Sequence, residues 1–202
     1  MDAAVLIPVK DFRQAKARLA GVLASDDRIR LARWTADRVV AAAAPLPVFV
    51  ACDDDAVAEW AETVGATVLW RPGRGLNAAV EDGIVALAQA GIDNAIVAHS
   101  DLPVPSPLPH LVMSGGAVLV PDTRRDGTNV IAIPTSAGFR PSYGVGSFRR
   151  HLAQVLALGM PVRVVPDPLL ALDIDTPDDL AHPLISRALP PWLPTNRANQ
   201  HS

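Results

Sequence analysis

Between Ala3 and Ala98 the sequence alternates four short apolar runs with three amphipathic segments of helical period, and few folds accept that order. Ala3 to Val9 is an almost unbroken apolar run, short enough for a strand buried on both faces. A basic, irregular loop follows from Lys10 to Leu19. Ser25-Asp26-Asp27 opens a helix with acids in its first turn, and Ile29, Leu31, Trp34, Val39 and Val40 give it an apolar face to about Ala44. Pro45 and Pro47 stop it. Val48 to Cys52 reads as a second strand. Asp53 and Asp54 cap a helix carrying Val57, Trp60, Ala61 and Val64, which Gly65 ends. Ala66 to Trp70 is a third strand, Arg71 to Gly75 a turn-rich loop, and Leu76 to Ala90 a third helix closed by Gly91. Asn94 to Ala98 is a fourth strand. Strands that alternate with helices predict a parallel sheet covered on both faces. In such sheets ligands sit outside the carboxyl ends of the strands.

The pattern changes after residue 103. Ala117 to Pro121 and Asn129 to Pro134 are strands joined by a tight polar turn, which predicts an antiparallel hairpin. Ser147 to Leu158 is a helix, Val162 to Val165 and Leu169 to Leu172 are short strands, and Thr176 to Ala181 begins a last helix. Residues from Pro183 onward hold four prolines with little periodicity and read as a tail. At about 150 residues per domain, 202 residues accommodate one domain, 1–182, and that tail, 183–202.

Composition removes several function classes. Half the residues are hydrophobic and the net charge is −3, so the chain can bury a core and carries no global basic field for nucleic acid or an anionic membrane. One cysteine, Cys52, excludes an internal disulfide framework and a cysteine-based zinc site. No stretch approaches 18 apolar residues, and the N-terminus lacks the pattern of a signal peptide, so a cytoplasmic protein is the expectation. Of the 18 basic residues only Lys10 and Lys16 are lysines, and both lie in one loop. A GC-rich genome accounts for the arginines. The pairing of the lysines fits a need for compact, mobile ammonium groups that follow a phosphate.

Four constellations carry chemistry. Lys10, Lys16 and Arg18 follow the first strand and suit a polyphosphate clamp, although the glycines of a P-loop or a Rossmann fingerprint are missing. Asp101 stands in His99-Ser100-Asp101-Leu102-Pro103, just past the fourth strand. In Leu172-Asp173-Ile174-Asp175-Thr176-Pro177-Asp178-Asp179, the last two acids are explained by a helix start with Thr176 as cap, whereas Asp173 and Asp175 are not. These two alternate along an extended segment and are expected to point the same way. An EF-hand is excluded, because its sixth position would be Asp178 and its twelfth Leu184. Asp101, Asp173 and Asp175 beside a lysine clamp describe a magnesium site for phosphoryl or nucleotidyl transfer. The fourth constellation is Asp126-Gly127-Thr128-Asn129 with Tyr143-Gly144-Val145-Gly146-Ser147-Phe148. Backbone N–H groups at that helix entry, with Ser147 as cap, make a second anion site and suggest a phosphorylated acceptor. His99 and His151 are weaker phosphate candidates, and single histidines are more often structural.

These motifs together resemble the phosphoenolpyruvate/2-phospho-L-lactate guanylyltransferases of coenzyme F-420 biosynthesis. The residues that carry the resemblance are Pro8-Val9-Lys10, Lys16-x-Arg18-Leu19, Leu76-Asn77, His99-x-Asp101-Leu102-Pro103, Gly127-Thr128-Asn129, Gly144-x-x-Ser147-Phe148 and Asp173-Ile174-Asp175-Thr176-Pro177. The resemblance runs from about residue 3 to 181. It implies an α/β nucleotidyltransferase fold like that of the nucleotide-diphospho-sugar transferases, with GTP as donor, Mg2+, and a phosphorylated three-carbon acid as acceptor. The acceptor could be phosphoenolpyruvate, 2-phospho-L-lactate or 3-phosphoglycerate, and the arginine- and alanine-rich composition favours the first. It further implies a product passed to a downstream transferase, in a monomer or homodimer that touches neither nucleic acid nor membrane. By the same resemblance, Thr128, Gly144 and Ser147 hold the acceptor, and Pro8, Lys10, Lys16, Asn77 and Asp101 bind the nucleotide. Lys10, Lys16, Arg18 and Asp101 serve catalysis, and Asp101, Asp173 and Asp175 hold the metal. Ser100 stands where the family often has alanine, and the tail after Pro183 has no counterpart in the motifs. Two other readings stay open: a transferase of this architecture with another nucleotide, and a non-catalytic phosphate-binding module.

Overall fold

The computed structural model describes residues 2–194. Its strands are β1 (Ala3–Pro8), β2 (Val48–Cys52), β3 (Thr67–Trp70), β4 (Asn94–Ala98), β5 (Ala117–Pro121), β6 (Thr128–Pro134) and β7 (Val162–Val164). They form one sheet in the order β3-β2-β1-β4-β6-β5-β7. The helices are α1 (Ser25–Ala43), α2 (Asp55–Thr63), α3 (Gly75–Gln89), α4 (Ser147–Ala157), α5 (Pro177–Ala181) and α6 (Pro183–Ala188).

Local chemistry explains most of these boundaries. Asp26 and Asp27 favour the start of α1, whose buried Leu31, Ala32, Thr35, Ala36, Val39 and Ala43 recur at helical spacing. The Asp54 carboxylate accepts from the Val57 N–H at 3.1 Å and caps α2. Strands β1 and β5 are apolar throughout and β4 is apolar after Asn94, and all three are almost wholly buried, as central strands covered on both faces must be. Val5 and Ile7 pack with α1 and α2 on one face, while Ala4 and Leu6 pack with α3 on the other. Helix α3 approaches β1 so closely that a Cβ on Gly83 would lie 2.6 Å from Leu6 Cδ2.

The expected mostly parallel sheet with an antiparallel hairpin is present, and two other expectations need correction. The sheet is parallel from β3 through β4, but β6 runs antiparallel to both β4 and β5. The connection from β5 to β6 is too short for a crossover, so the second strand must turn back. The resulting hairpin is woven into the sheet, with β6 seated between β4 and β5. Leu169 to Leu172 is a turn and not a strand, because Asp167 Oδ1 accepts from the N–H groups of Leu169 (2.8 Å) and Leu170 (2.9 Å) and holds the backbone out of any ladder. The region after Pro183 is packed as far as it is described. Ile185 and Leu193 are 1% and 5% exposed, in a third apolar cluster with Leu19, Leu23, Leu31, Leu172 and Ile174. The Arg30 guanidinium lies 4.0 Å from the Trp192 ring centre. Residues 195–202 of the expected tail lie outside the described residues. No helix among the described residues is long and apolar enough to cross a membrane.

Candidate active site

Strand order changes direction at β1, which pairs with β2 on one side and β4 on the other. The loops leaving the carboxyl ends of β1 and β4 therefore diverge there and open a crevice. Because β6 is antiparallel to β4, its first residues reach the same edge: Ala98 pairs with Val130, and the His99 N–H donates to Asn129 O at 3.0 Å. The Ile174 N–H donates to Asp101 O at 3.2 Å and draws the acidic segment in as well.

A cavity of about 220 Å³ opens at this edge, lined among others by Pro8, Lys10, Lys16, His99, Asp101 and Asp175. Lys16 is its buried cation, with a side chain only 5% exposed. Its Nζ donates to Ile174 O at 2.5 Å and lies 3.5 Å from Asp101 Oδ2. A buried ammonium is tolerated because both partners oppose the desolvation cost. The Lys16 backbone has φ 58°, a left-handed conformation that costs an ordinary residue about 1–2 kcal/mol. The rest of the loop must over-determine that conformation, and Leu19, fully buried in the third cluster, anchors it.

Burial pushes the Asp101 carboxyl up, but the Lys16 ammonium and then His99 outweigh it and leave the group below the usual carboxylate range. Asp173 goes the other way, to about 7, through burial first, then the charge of Asp101 and that of Asp179. Asp101 Oδ1 is buried with no hydrogen-bond partner among the described residues. An unpaired carboxylate oxygen, with a second carboxyl raised by burial and then by its repulsion, is a donor set suited to a divalent cation.

Asp175 does not join that pair. It forms an ion pair with the exposed Arg18 guanidinium, whereas Asp173 lines a second recess with Thr123, Asp178 and His182. Among the described residues no three His, Cys, Asp or Glu side chains converge as a ready-made metal cage. The expectation that Asp173 and Asp175 point the same way therefore fails. The segment joins no ladder, and the Asp175 N–H turns to Asp179 Oδ2 at 2.8 Å to start α5, so a period of two does not persist. Lys10 is exposed on the cavity wall.

The constellation of Thr128 and Ser147 lies beside the first, and these two side chains are uncharged. Thr128 and Ser147 are 1% and 2% exposed, and the Thr128 N–H donates to Ser147 Oγ at 3.1 Å. Gly146, in the left-handed region, occupies the cap position of α4, and Ser147 is its first residue; the expected serine cap is thus displaced by one position. Three N–H groups at this helix end are already engaged. Those of Gly146 and Phe148 donate to Asp126 Oδ2 (3.1 Å) and Asp126 O (3.0 Å), and that of Ser147 to Gly144 O (2.9 Å). Asp126, through its carboxylate and its carbonyl, therefore takes two of the N–H groups of the expected backbone anion site, and the hydroxyls of Thr128 and Ser147 lie beside it. Gly144 is exposed with φ 117°, accessible to glycine almost alone.

Asn77 does not line the cavity, where its neighbour Leu76 stands instead. Its amide clips the Tyr143 backbone, with Oδ1 accepting from the Tyr143 N–H at 2.6 Å. Tyr143, the chain's single tyrosine, opens the glycine-rich loop, and the sequence alone assigns its ring no role. Its ring lies 5.0 Å from His99 and 4.8 Å from His151. Neither Tyr143 Oη nor His99 Nε2 has a hydrogen-bond partner among the described residues, and both are buried. Burial pushes the tyrosine hydroxyl up and the His99 ring down.

A family model described as guanylyl transferase CofC-like matches residues 3–187. A phosphoenolpyruvate guanylyltransferase from Rubrobacter xylanophilus is 37% identical over 190 residues, covering 90% of this chain and 93% of that protein. A 2-phospho-L-lactate guanylyltransferase from Archaeoglobus fulgidus is 32% identical over 179 residues, covering 87% and 80%. Among solved structures, a nucleotidyl transferase from Methanothermobacter thermautotroptrophicus superposes with a TM-score of 0.63 at 15% identity, covering 89% of this chain and 94% of that one, a likeness that speaks for the fold.

Proposed function

The chain belongs to the guanylyl transferase CofC-like family, and we propose that it transfers GMP from GTP to the phosphate of phosphoenolpyruvate, releasing pyrophosphate. The observation that carries this reading is the buried Lys16–Asp101 pair on the crevice between β1 and β4, with a separate pair of buried hydroxyls beside it. Two anionic substrates need two adjacent sites of different character, and the edge offers both. The name borne by the Rubrobacter relative supports phosphoenolpyruvate as acceptor.

An oxygen of the acceptor phosphate attacks the α-phosphorus of GTP in line. The bond from that phosphorus to the bridging oxygen of the β-phosphate breaks, and pyrophosphate takes the electron pair. The attacking phosphate is already ionised at neutral pH, so no general base is required. Lys16, with Lys10 and Arg18 nearer solvent, neutralises the triphosphate and the leaving group. Asp101 and Asp173 are the residues that fit Mg2+, which when bound neutralises charge between the two reacting anions. Thr128 and Ser147 hold the acceptor through their hydroxyls. The product, a guanylylated three-carbon acid, is consumed by a downstream transferase in coenzyme F-420 biosynthesis.

The test is to incubate the protein with GTP, Mg2+ and, separately, phosphoenolpyruvate, 2-phospho-L-lactate or 3-phosphoglycerate, and to weigh the products. Phosphoenolpyruvate is expected to give the guanylylated adduct with one pyrophosphate per turnover. Equal pyrophosphate release from GTP and water alone would remove the specific acceptor, and adduct from another acid alone would reassign it.

A further inference from the structure

His151 occupies no place in the reaction as derived so far, yet it is wholly buried and uses both ring nitrogens. Ser147 and His151 are four residues apart on α4 and therefore share the face turned toward β6. The Ser142 N–H donates to His151 Nε2 at 2.9 Å, and His151 Nδ1 lies 3.0 Å from Thr128 Oγ1. A backbone N–H can only donate, so Nε2 must present its lone pair. Burial, then Arg150, then His99 hold the ring's pKa down at about 4, so it is neutral and its single proton is on Nδ1. Nδ1–H consequently donates to Thr128 Oγ1. The Thr128 hydroxyl, its oxygen engaged by this bond, must direct its own proton elsewhere, and among the described residues it finds no acceptor. Ser147 stands likewise: its oxygen accepts from the Thr128 N–H, and its hydroxyl proton has no acceptor among the described residues.

We infer that His151 is a positioning residue for acceptor binding, which by donating to Thr128 Oγ1 directs that hydroxyl's own proton away from the ring. With Ser147 it forms a neutral two-proton cradle for an anionic group of the phospho-acid. The arrangement is fixed upstream by Arg150, whose guanidinium donates to Ser142 O at 2.6 Å and Val145 O at 2.5 Å and so holds the Ser142 amide against the ring. The inference rests on the reading of Thr128 and Ser147 as acceptor residues.

Two measurements on the full chain test it. Nitrogen-15 NMR of histidine-labelled protein reports the tautomer directly, and the Nδ1–H form is expected at His151, whereas free histidine favours Nε2–H. Steady-state kinetics of Thr128→Val, His151→Leu and His151→Asn then separate the substrates. His151→Leu is expected to raise KM for phosphoenolpyruvate roughly ten-fold, as loss of one oriented hydrogen bond does, with KM for GTP unchanged. His151→Asn, whose amide can replace the Nδ1 donor, should recover part of that loss. The Thr128→Val/His151→Leu double variant should be no worse than Thr128→Val alone. An Nε2–H tautomer, equal rises in both KM values, or additive losses would overturn the inference. Thr128→Val with an unchanged KM for phosphoenolpyruvate would instead remove the acceptor reading on which it stands.

Discussion

The two halves of the site are built from opposite materials. The half under β1 and β4 is charged and incompletely paired: a buried ammonium, a carboxylate with an orphan oxygen, and a second carboxyl pushed to about 7 by burial and by its neighbour. The half formed by β6 and α4 is neutral and hydrogen-bonded into the scaffold, and only hydroxyl protons are left over. They also rest on different supports. The charged half leans on the third apolar cluster, through Leu19, Leu172 and Ile174. The neutral half leans on the sheet's second face, where Tyr143 and Val155 pack with β5 and β6. A charge-loaded site must be completed by its ligand, because its residual field opposes folding until a counter-charge arrives. A neutral cradle can be finished by the protein alone and contributes orientation.

The comparison breaks most easily at Asp101. Asp101→Asn should lower kcat by ~10²–10³ and also lower the melting temperature, since the buried Lys16 ammonium loses its counter-charge and relief of the repulsion on Asp173 offsets only part of that. Turnover near that of the parent would show that the charged half is not where the reaction occurs. Next in size is Lys16→Arg, which keeps the charge but asks a guanidinium to fit a side chain now only 5% exposed. A loss of roughly ten- to a hundred-fold in kcat/KM for GTP is expected. Arg18→Lys, at the exposed pair with Asp175, should change little. Equal activity of both variants would mean that the compactness of lysine is irrelevant.

The separate supports are tested by Ile185→Ala. Deleting its buried side chain should cost about 2–4 kcal/mol in chemical denaturation and raise KM for GTP more than KM for the acceptor, because the cluster it leaves also holds Leu19 and Ile174. A uniform effect on both substrates would join the two supports into one. The smallest effect concerns pH. His151 has a folded pKa of about 4 against 6.5 in the unfolded chain, so the unfolded state takes the proton first as pH falls. Stability is then complete above pH 6.5 and declines toward pH 4, by on the order of 1–3 kcal/mol from this ring. Denaturant titrations at pH 7.5 and 5 should show the loss, and His151→Asn should remove a share of it. An unchanged slope in that variant would place the pH dependence in His99, whose ring burial also holds down.

The charged half was more legible in the sequence than the neutral one, and the reason is local. Lys10, Lys16 and Asp101 sit directly after apolar runs whose strand character is unmistakable, so the strand ends deliver them to one edge. Asp175 was misplaced because its neighbour Asp179, four residues on, captures its backbone and ends the extended geometry. Thr128 and Ser147 were named through resemblance, yet their bonding partners could not be read. Ser147 meets Thr128 nineteen residues away, and Tyr143 is clipped by Asn77 sixty-six residues away.

Periodicity and caps, which act over a few residues, determined the alternating strands and helices, the parallel half of the sheet, and the loop that carries both lysines. They could not determine that β6 inserts beside β4, since a hairpin's place in a sheet depends on which edge is left unpaired. Nor could they show that the residues after Pro183 close the cluster beneath Lys16, or which side chain each buried carboxylate meets. Those outcomes are set by long-range packing and by desolvation, and both act on residues that are neighbours only after the chain has folded.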